Sequence, residues 1–121
     1  MIYIGIDPGK SGALVALGED GRILSLTKGD ETEHDIAFWL EAAAVLPKDC
    51  VATIERVGAM PKQGVSSTFK FGQSYGFLRG LLVALHIPFA EVTPQKWQGF
   101  MGCRTGGDKN VSKAAAQRLW P

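Results

Sequence analysis

The 121-residue sequence has few cysteines and histidines, and it lacks any long apolar run. Cys50 and Cys103 are far apart and neither belongs to a Cys-x-x-Cys pair, which argues against a disulfide framework. His34 and His86 show no metal-ligand spacing. No apolar stretch approaches the ~20 residues of a membrane span, and the chain starts with a strand-like segment instead of a basic signal region. These absences predict one domain, residues 1–121, in a reduced cytoplasmic protein without a membrane anchor.

The charge of the chain is distributed unevenly. The formal net charge is only +1. Residues 1–60 carry five Lys or Arg against ten Asp or Glu, whereas residues 61–121 carry eight against two. A basic half in a small domain is typical of a protein with a polyanionic partner. Two ordinary solvated surfaces would have the same composition, so charge alone leaves both interpretations open.

Hydrophobic periodicity and turn residues predict an α/β fold. Alternating apolar residues and Gly-rich turns indicate a meander of three strands, followed by βα repeats and a final helix. This order favours a mixed central sheet flanked by helices, in which the three-strand antiparallel meander is joined by two parallel strands and the first strand lies at the centre. The predicted strands are 2–7, 12–17, 22–27, 51–55 and 89–92; the predicted helices are about 30–46, 66–86, 95–101 and 108–120. Ser66 or Ser67 is expected to cap the second helix, Thr93 the third, and Asp108 or Asn110 the fourth.

The segment GIDPGKSG (5–12) resembles a phosphate-binding loop, but its spacing does not fit. Only three residues separate Gly5 from Gly9, and the next segment is too short and glycine-flanked for a helix. The sequence therefore predicts no nucleotide cofactor. The alternative is a strand that ends in Asp7, followed by a tight turn. Asp7 could be functional or could simply cap that turn.

Two carboxylates end predicted strands. Asp7 ends the first strand and Glu55 ends the fourth. In α/β sheets, sites form outside the carboxyl ends of strands, and parallel neighbours lie ~4.8 Å apart. Two carboxylates at that spacing repel each other unless a cation lies between them, and oxygen ligands suit Mg²⁺. The alternative is that Glu55 pairs with Arg56 or a nearby lysine at the surface.

Four segments together resemble the RuvC-type Holliday-junction resolvases, and most closely their phage and prophage branch. They are IGIDPGKSGAL, VATIERVGAMPKQGVSSTFKFGQSYG, EVTPQKWQ and GDKNVSKAAAQRLWP, in the family's order. The resemblance implies an RNase H-like fold and a homodimer. It also implies cutting of branched DNA, such as a four-way junction, that depends on Mg²⁺ or alternatively Mn²⁺.

The same resemblance implies roles for individual residues. Asp7 and Glu55 match the first two catalytic carboxylates and metal ligands of the family. Lys96 and Lys109 match basic residues near the scissile phosphate. The loop after Glu55 matches the one that approaches the junction centre. Further residues of this loop and of the basic half are expected to contact DNA: Met60, Lys62, Gln63, Arg104 and Lys113.

The sequence departs from the family pattern in two places. The family has two more acidic or histidine ligands on a final helix, and this sequence stops at Pro121 before such a helix would begin. We therefore expect a C-terminally incomplete nuclease domain with little or no cleavage of its own. In addition, many members have an aromatic wedge after the second carboxylate. Met60 could insert apolar surface in its place, or it could belong to loop packing.

Glycines recur on one face of the long predicted helix. Gly72, Gly76 and Gly80 lie four residues apart, and each costs up to ~1 kcal/mol against alanine in a helix. This cost predicts a close approach, which the sequence alone assigns to the sheet or another helix. The resemblance implies instead that Phe69, Gly72, Tyr75 and Gly76 lie in a twofold dimer interface.

Three other functions stay open at this stage. One is an inactive relative that binds branched DNA without cutting it. Another is a different RNase H-like nuclease, such as a terminase-like enzyme. The last is half of a sugar-kinase or actin-like protein, whose first strand also carries an Asp-x-Gly turn, but that fold needs a second, equivalent domain.

Overall fold

The structure, a computed structural model, describes residues 1–45, 49–56, 58, 64–104 and 108–121. These residues form two compact units, Met1–Glu91 and Val92–Pro121. The first unit contains the sheet and two long helices, whereas the second contains two shorter helices. No helix in the described ranges is long and apolar enough to cross a membrane.

A five-stranded mixed sheet forms the centre of the first unit. The strand order is β3-β2-β1-β4-β5, so the first strand is central. β1 pairs antiparallel with β2 and parallel with β4, while β2 pairs antiparallel with β3. The predicted RNase H-like arrangement of a meander joined by a parallel strand is thus confirmed. The strands are β1 Ile2–Asp7, β2 Ala13–Leu17, β3 Ile23–Lys28, β4 Cys50–Glu55 and β5 Phe89–Val92.

One face of the sheet carries the hydrophobic core. Helices α1 (Glu33–Val45) and α2 (Val65–Ala84) contribute to this core with the sheet. Because strand side chains alternate between faces, the even-numbered residues of β1 and β4 point into the core. The buried cluster consists of Ile4, Ile6, Leu14, Ile36, Leu40, Ala52, Ile54, Leu78, Leu82 and Ile87. On the opposite face, large apolar side chains such as Tyr3, Leu24 and Leu26 are exposed.

The second unit consists of α3 (Pro94–Phe100) and α4 (Lys109–Leu119). Thr93 caps α3, because its hydroxyl accepts a hydrogen bond from the Lys96 backbone N–H at 3.2 Å. Asp108 caps α4 by accepting from the Asn110 N–H at 2.9 Å. Both caps agree with the prediction and follow from the preference of Thr and Asp for this position.

The start of α2 differs from the prediction. We expected Ser66 or Ser67 to cap this helix, but Gly64 is the N-cap and no side chain caps the helix. The Thr68 N–H donates to the Gly64 carbonyl at 3.0 Å, so the cap lies two to three residues earlier than expected. Glycine is accepted at this position because its extended backbone needs no side chain.

Candidate functional site

The parallel pairing of β1 with β4 places Asp7 beside Glu55. Gly5 pairs with Thr53 and Ile6 pairs with Ile54. The next step in this register joins the last residues of the two strands, Asp7 and Glu55. Residues at one register position of neighbouring strands point to the same face, ~4.8 Å apart. The prediction that these two strands are neighbours is confirmed. Both carboxylates lie at the carboxyl ends of the strands, which we call one edge of the sheet.

The two carboxylates have different surroundings. Asp7 is exposed and Glu55 is half-buried. Each residue also takes part in at least one interaction within the protein. Neither residue is therefore without a partner, although Asp7 stays open to solvent.

A tight glycine turn fixes the end of β1. Pro8 and Gly9 are buried, and Gly9 has a φ of 106°, which favours glycine. The Gly12 N–H donates to the Gly9 carbonyl at 3.1 Å, and the Gly29 N–H donates to the Gly12 carbonyl at 2.9 Å. These bonds tie the residues that follow Asp7 to the end of β3. No helix follows the turn, because β2 begins at Ala13. This geometry agrees with the rejection of a phosphate loop.

Gly12 and Gly29 matter for a steric reason that the sequence analysis missed. A Cβ atom at Gly12 would lie 1.9 Å from the Asp7 carbonyl oxygen, and one at Gly29 would lie 2.0 Å from the Gly9 carbonyl oxygen. Only glycine lets these backbones approach so closely. The sequence signal was the position of each glycine directly beside a predicted strand end, but nothing in the pattern revealed that the two turns touch.

The ligand count at this edge is small. Among the described residues, no group of three or more His, Cys, Asp or Glu side chains is arranged to hold a metal ion. Mg²⁺ in nucleic-acid enzymes is often bound by one or two carboxylates, with water and substrate phosphate completing its shell. A pair of carboxylates at an open sheet edge therefore fits Mg²⁺, provided that the remaining ligands come from outside the pair.

The predicted basic residues of the second unit lie at its helix starts and in the segment between the helices. Lys96 lies in the first turn of α3, and Lys109 is the first residue of α4. Lys113 follows one turn later on the same side of α4 as Lys109. The Arg104 guanidinium lies against Gly99, since a Cβ atom there would be 2.8 Å from Nη2. The first three side chains, like Arg104, are exposed. Met60, Lys62 and Gln63, the predicted loop contacts, lie outside the described residues.

The exposed side of α2 carries an apolar seam. We define this seam as Val65, Phe69, Gly72, Gly76 and Val83, which are spaced four, three, four and seven residues apart and are all exposed. Apart from the surrounding turns of α2 itself, no atom of the described residues lies within 4 Å of the Cβ positions of Gly72, Gly76 or Gly80. The prediction that these glycines pack closely against the sheet or another helix of the same chain is therefore wrong for the described residues.

Tyr75 lies apart from this seam. Its ring packs against the core, and its hydroxyl oxygen is buried. Burial and then the neighbouring Glu91 carboxylate raise the pKa of Tyr75. The Arg79 guanidinium binds Glu91 at 2.6 Å. Of the four predicted interface residues, Phe69, Gly72 and Gly76 share the exposed face, whereas Tyr75 helps to join α2 to β5.

Comparison with solved structures reveals the same fold in a known enzyme. The structure of RuvC from Thermus thermophilus is similar, with a TM-score of 0.66 and 15% sequence identity over 98% of this chain and 80% of that one. A structure of T. thermophilus RuvC in complex with a Holliday junction substrate has a TM-score of 0.64 and 16% identity, over 84% and 72% of the two chains. No protein-family model and no curated protein matches the sequence. The similarity establishes the RuvC-like, RNase H-like fold.

Proposed function

We propose that this protein is a structure-selective endonuclease that resolves Holliday junctions or other branched DNA by metal-dependent hydrolysis of a phosphodiester. One observation carries the proposal: β1 and β4 pair in parallel, so that Asp7 and Glu55 end side by side at one sheet edge. The proposal is supported by the fold, which is shared with a RuvC whose structure contains a Holliday junction.

Asp7 and Glu55 would hold Mg²⁺, or alternatively Mn²⁺. When bound, such an ion supplies an activated water and neutralises charge on the phosphate that is attacked. The protein's own contribution is to fix the carboxylates. The turn through Gly9 and Gly12 holds Asp7, and the core residue Ile54 anchors the strand end that carries Glu55. This rigidity keeps the two side chains in position before substrate arrives.

The basic side chains of the second unit would position the DNA. Lys96 and Lys109 are exposed in the first turns of α3 and α4, and Lys113 is exposed one turn further along α4. The free backbone N–H groups at the start of α4 also favour phosphate. Together with Arg104 they would bind phosphates without reading the base sequence. Each phosphate contact should contribute about −0.9 to the slope of log K against log salt concentration.

The first experiment tests the two carboxylates. In a full-length parent, Asp7→Asn and Glu55→Gln should each abolish Mg²⁺-dependent cleavage of a synthetic four-way junction and leave junction binding in place. Glu41→Gln, an exposed carboxylate of α1, is the matched control and should cut like the parent. Flap and duplex DNA in the same assay separate a junction enzyme from a terminase-like one. If either the Asp7 or the Glu55 variant cut the junction normally, the assignment of these two carboxylates as the metal ligands would be refuted.

The second candidate function is binding of branched DNA without cutting. The observation behind it is the ligand count, since the described residues supply only the Asp7 and Glu55 carboxylates at this edge and no group of three. With so few protein ligands, Mg²⁺ would bind weakly. A gel-shift assay run beside the cleavage assay separates the two candidates, because a pure binder shifts the junction and releases no Mg²⁺-dependent product.

We also propose that the chain acts as a homodimer joined through the α2 seam. Phe69 is 67% exposed, and the glycines beside it leave room for a close helix approach. Two such seams crossing each other would bury this apolar surface. Sedimentation equilibrium should show a dimer that Phe69→Ser dissociates, whereas Phe38→Ser, at a 75% exposed position of α1, should leave it intact. A parent chain that is monomeric at tens of micromolar, roughly the range of weak dimers, would refute the interface.

A further inference from the structure

A groove with exposed lysines runs across the first unit near Asp7. Its volume is about 890 Å³. Three segments form its walls: the β1–β2 turn at 9–11, the segment 29–33 before and into α1, and residues 67–77 of α2. All of these segments belong to the unit that contains Asp7 and Glu55. None of the groove's lysines was among the predicted DNA contacts.

The floor of the groove leads towards Asp7. A small cavity of about 10 Å³ has five lining residues in common with the groove, and Asp7 is among its other lining residues. The shared residues are Gly9, Gly29, Ile36, Ser74 and Phe77. A molecule that occupied the groove would therefore lie close to Asp7.

The lining of the groove carries charges of both signs. Lys10, on the turn, and Lys70, on α2, are both exposed. Asp30, Glu31 and Glu33 line the segment before and at the start of α1. A polyanion would be drawn to the two lysines and repelled by the acidic segment.

The remaining lining residues suit a nucleotide chain. Ser11, Ser67 and Gln73 offer hydrogen-bond donors, and the half-buried Phe71 offers aromatic surface on which a base can stack. The volume lies within the range of about 300–1,000 Å³ that is typical of small-ligand pockets. It thus suits a few nucleotides.

We infer that this groove holds a short single-stranded stretch of the DNA substrate next to the cleavage edge, with its phosphates on Lys10 and Lys70. The inference rests on the proposed nuclease function, which it deepens by naming the route of the strand. An unpaired strand is available at the branch point of a flap or of an opened junction, and the acidic segment before α1 would repel its backbone.

The binding of a labelled single-stranded hexanucleotide, followed by fluorescence anisotropy over a series of NaCl concentrations, tests the inference. Lys10→Ala and Lys70→Ala should each weaken binding and make the salt slope shallower by about 0.7, the value per phosphate for single strands. Lys28→Ala is the matched control, because Lys28 is exposed on β3 and does not line the groove. Lys70→Arg should restore the slope. Glu31→Gln should tighten binding by removing a repulsive charge.

The outcomes separate the two proposals. If the Lys10 and Lys70 variants bind the hexanucleotide with the parent's affinity and slope, the groove assignment is overturned, even when the parent cuts junctions. If they lose binding while neither the parent nor Asp7→Asn cuts a junction, the groove stands and the nuclease proposal fails. Circular dichroism of each variant shows whether a loss of binding reflects unfolding. Lys70→Arg keeps the positive charge, so its binding shows whether that charge at position 70 is what holds the hexanucleotide.

Discussion

Replacement of Gly12 by alanine should damage both the fold and the candidate site. The added Cβ would lie 1.9 Å from the Asp7 carbonyl oxygen, 2.8 Å from its carbonyl carbon and 3.0 Å from the Pro8 oxygen. Since real Cβ atoms essentially never approach closer than 3.0 Å, the two backbone segments must separate by about 1 Å. The atoms that must move belong to Asp7 itself.

The size of the effect follows from the bonds that this separation breaks. The Gly12 N–H bond to Gly9 is 3.1 Å long and the Gly29 N–H bond to Gly12 is 2.9 Å long. A shift of about 1 Å takes both beyond hydrogen-bonding distance. Each such bond contributes about 0.5–1.5 kcal/mol, and a buried group left unpaired costs more. We therefore expect Gly12→Ala to lower the free energy of unfolding by about 2–4 kcal/mol.

Urea denaturation measures this change in the free energy of unfolding. Gly80→Ala is the control, because this glycine-to-alanine change should raise the free energy of unfolding instead of lowering it. Gly80 lies inside α2 with no described atom within 4 Å of its Cβ position, so alanine should stabilise the helix there by up to ~1 kcal/mol. Gly12→Ala should also lose metal-dependent cleavage, because Asp7 moves. An unfolding free energy within about 0.5 kcal/mol of the parent, the usual range of neutral surface changes, would refute the steric argument.

Two further predictions concern the core and the α2–β5 contact. Leu82 is fully buried, so Leu82→Ala should lower the free energy of unfolding by about 2–5 kcal/mol in urea denaturation, and a loss below 1 kcal/mol would contradict the core assignment. Because burial and Glu91 raise the pKa of Tyr75, the protonated phenol is favoured in the folded state. Stability should therefore fall as pH rises above about 10, the unfolded value, and Tyr75→Phe should make this fall shallower. Burial also raises the pKa of Cys50, but that thiol titrates in both chains, so the difference between their stabilities isolates Tyr75. Equal alkaline slopes for both chains would show that Tyr75 does not contribute.

Period-two alternation predicted the sheet well, because every second residue of β1 and β4 is buried. Ile4, Ile6, Ala52 and Ile54 are 4% exposed or less, and their spacing is visible in the sequence. The parallel pairing that brings Asp7 and Glu55 together followed from the order of strands and helices. The capping residues Thr93 and Asp108 were also recognisable, since their side chains bond to the nearest backbone N–H groups.

Features that depend on contacts between distant segments could not be predicted. The closeness of Gly12 and Gly29 depends on how the turn after β1 meets the end of β3, which no local pattern records. For the same reason, the groove brings Lys10 and Lys70 together from segments sixty residues apart in the chain. The glycines of α2 misled the prediction, because a repeat on one helix face indicates a close approach without specifying its partner.

The β1–β4 pairing also sets when the site can exist during folding. The strands β2 and β3 and the helix α1 lie between β1 and β4 in the sequence. The alignment of β1 with β4 therefore requires closure of a long loop, which is one of the slow, non-local steps of folding. Local hairpins can form earlier without creating any metal site. If Asp7 and Glu55 hold an ion as proposed, its binding would report completed folding of the sheet, and partially assembled chains would lack the metal site.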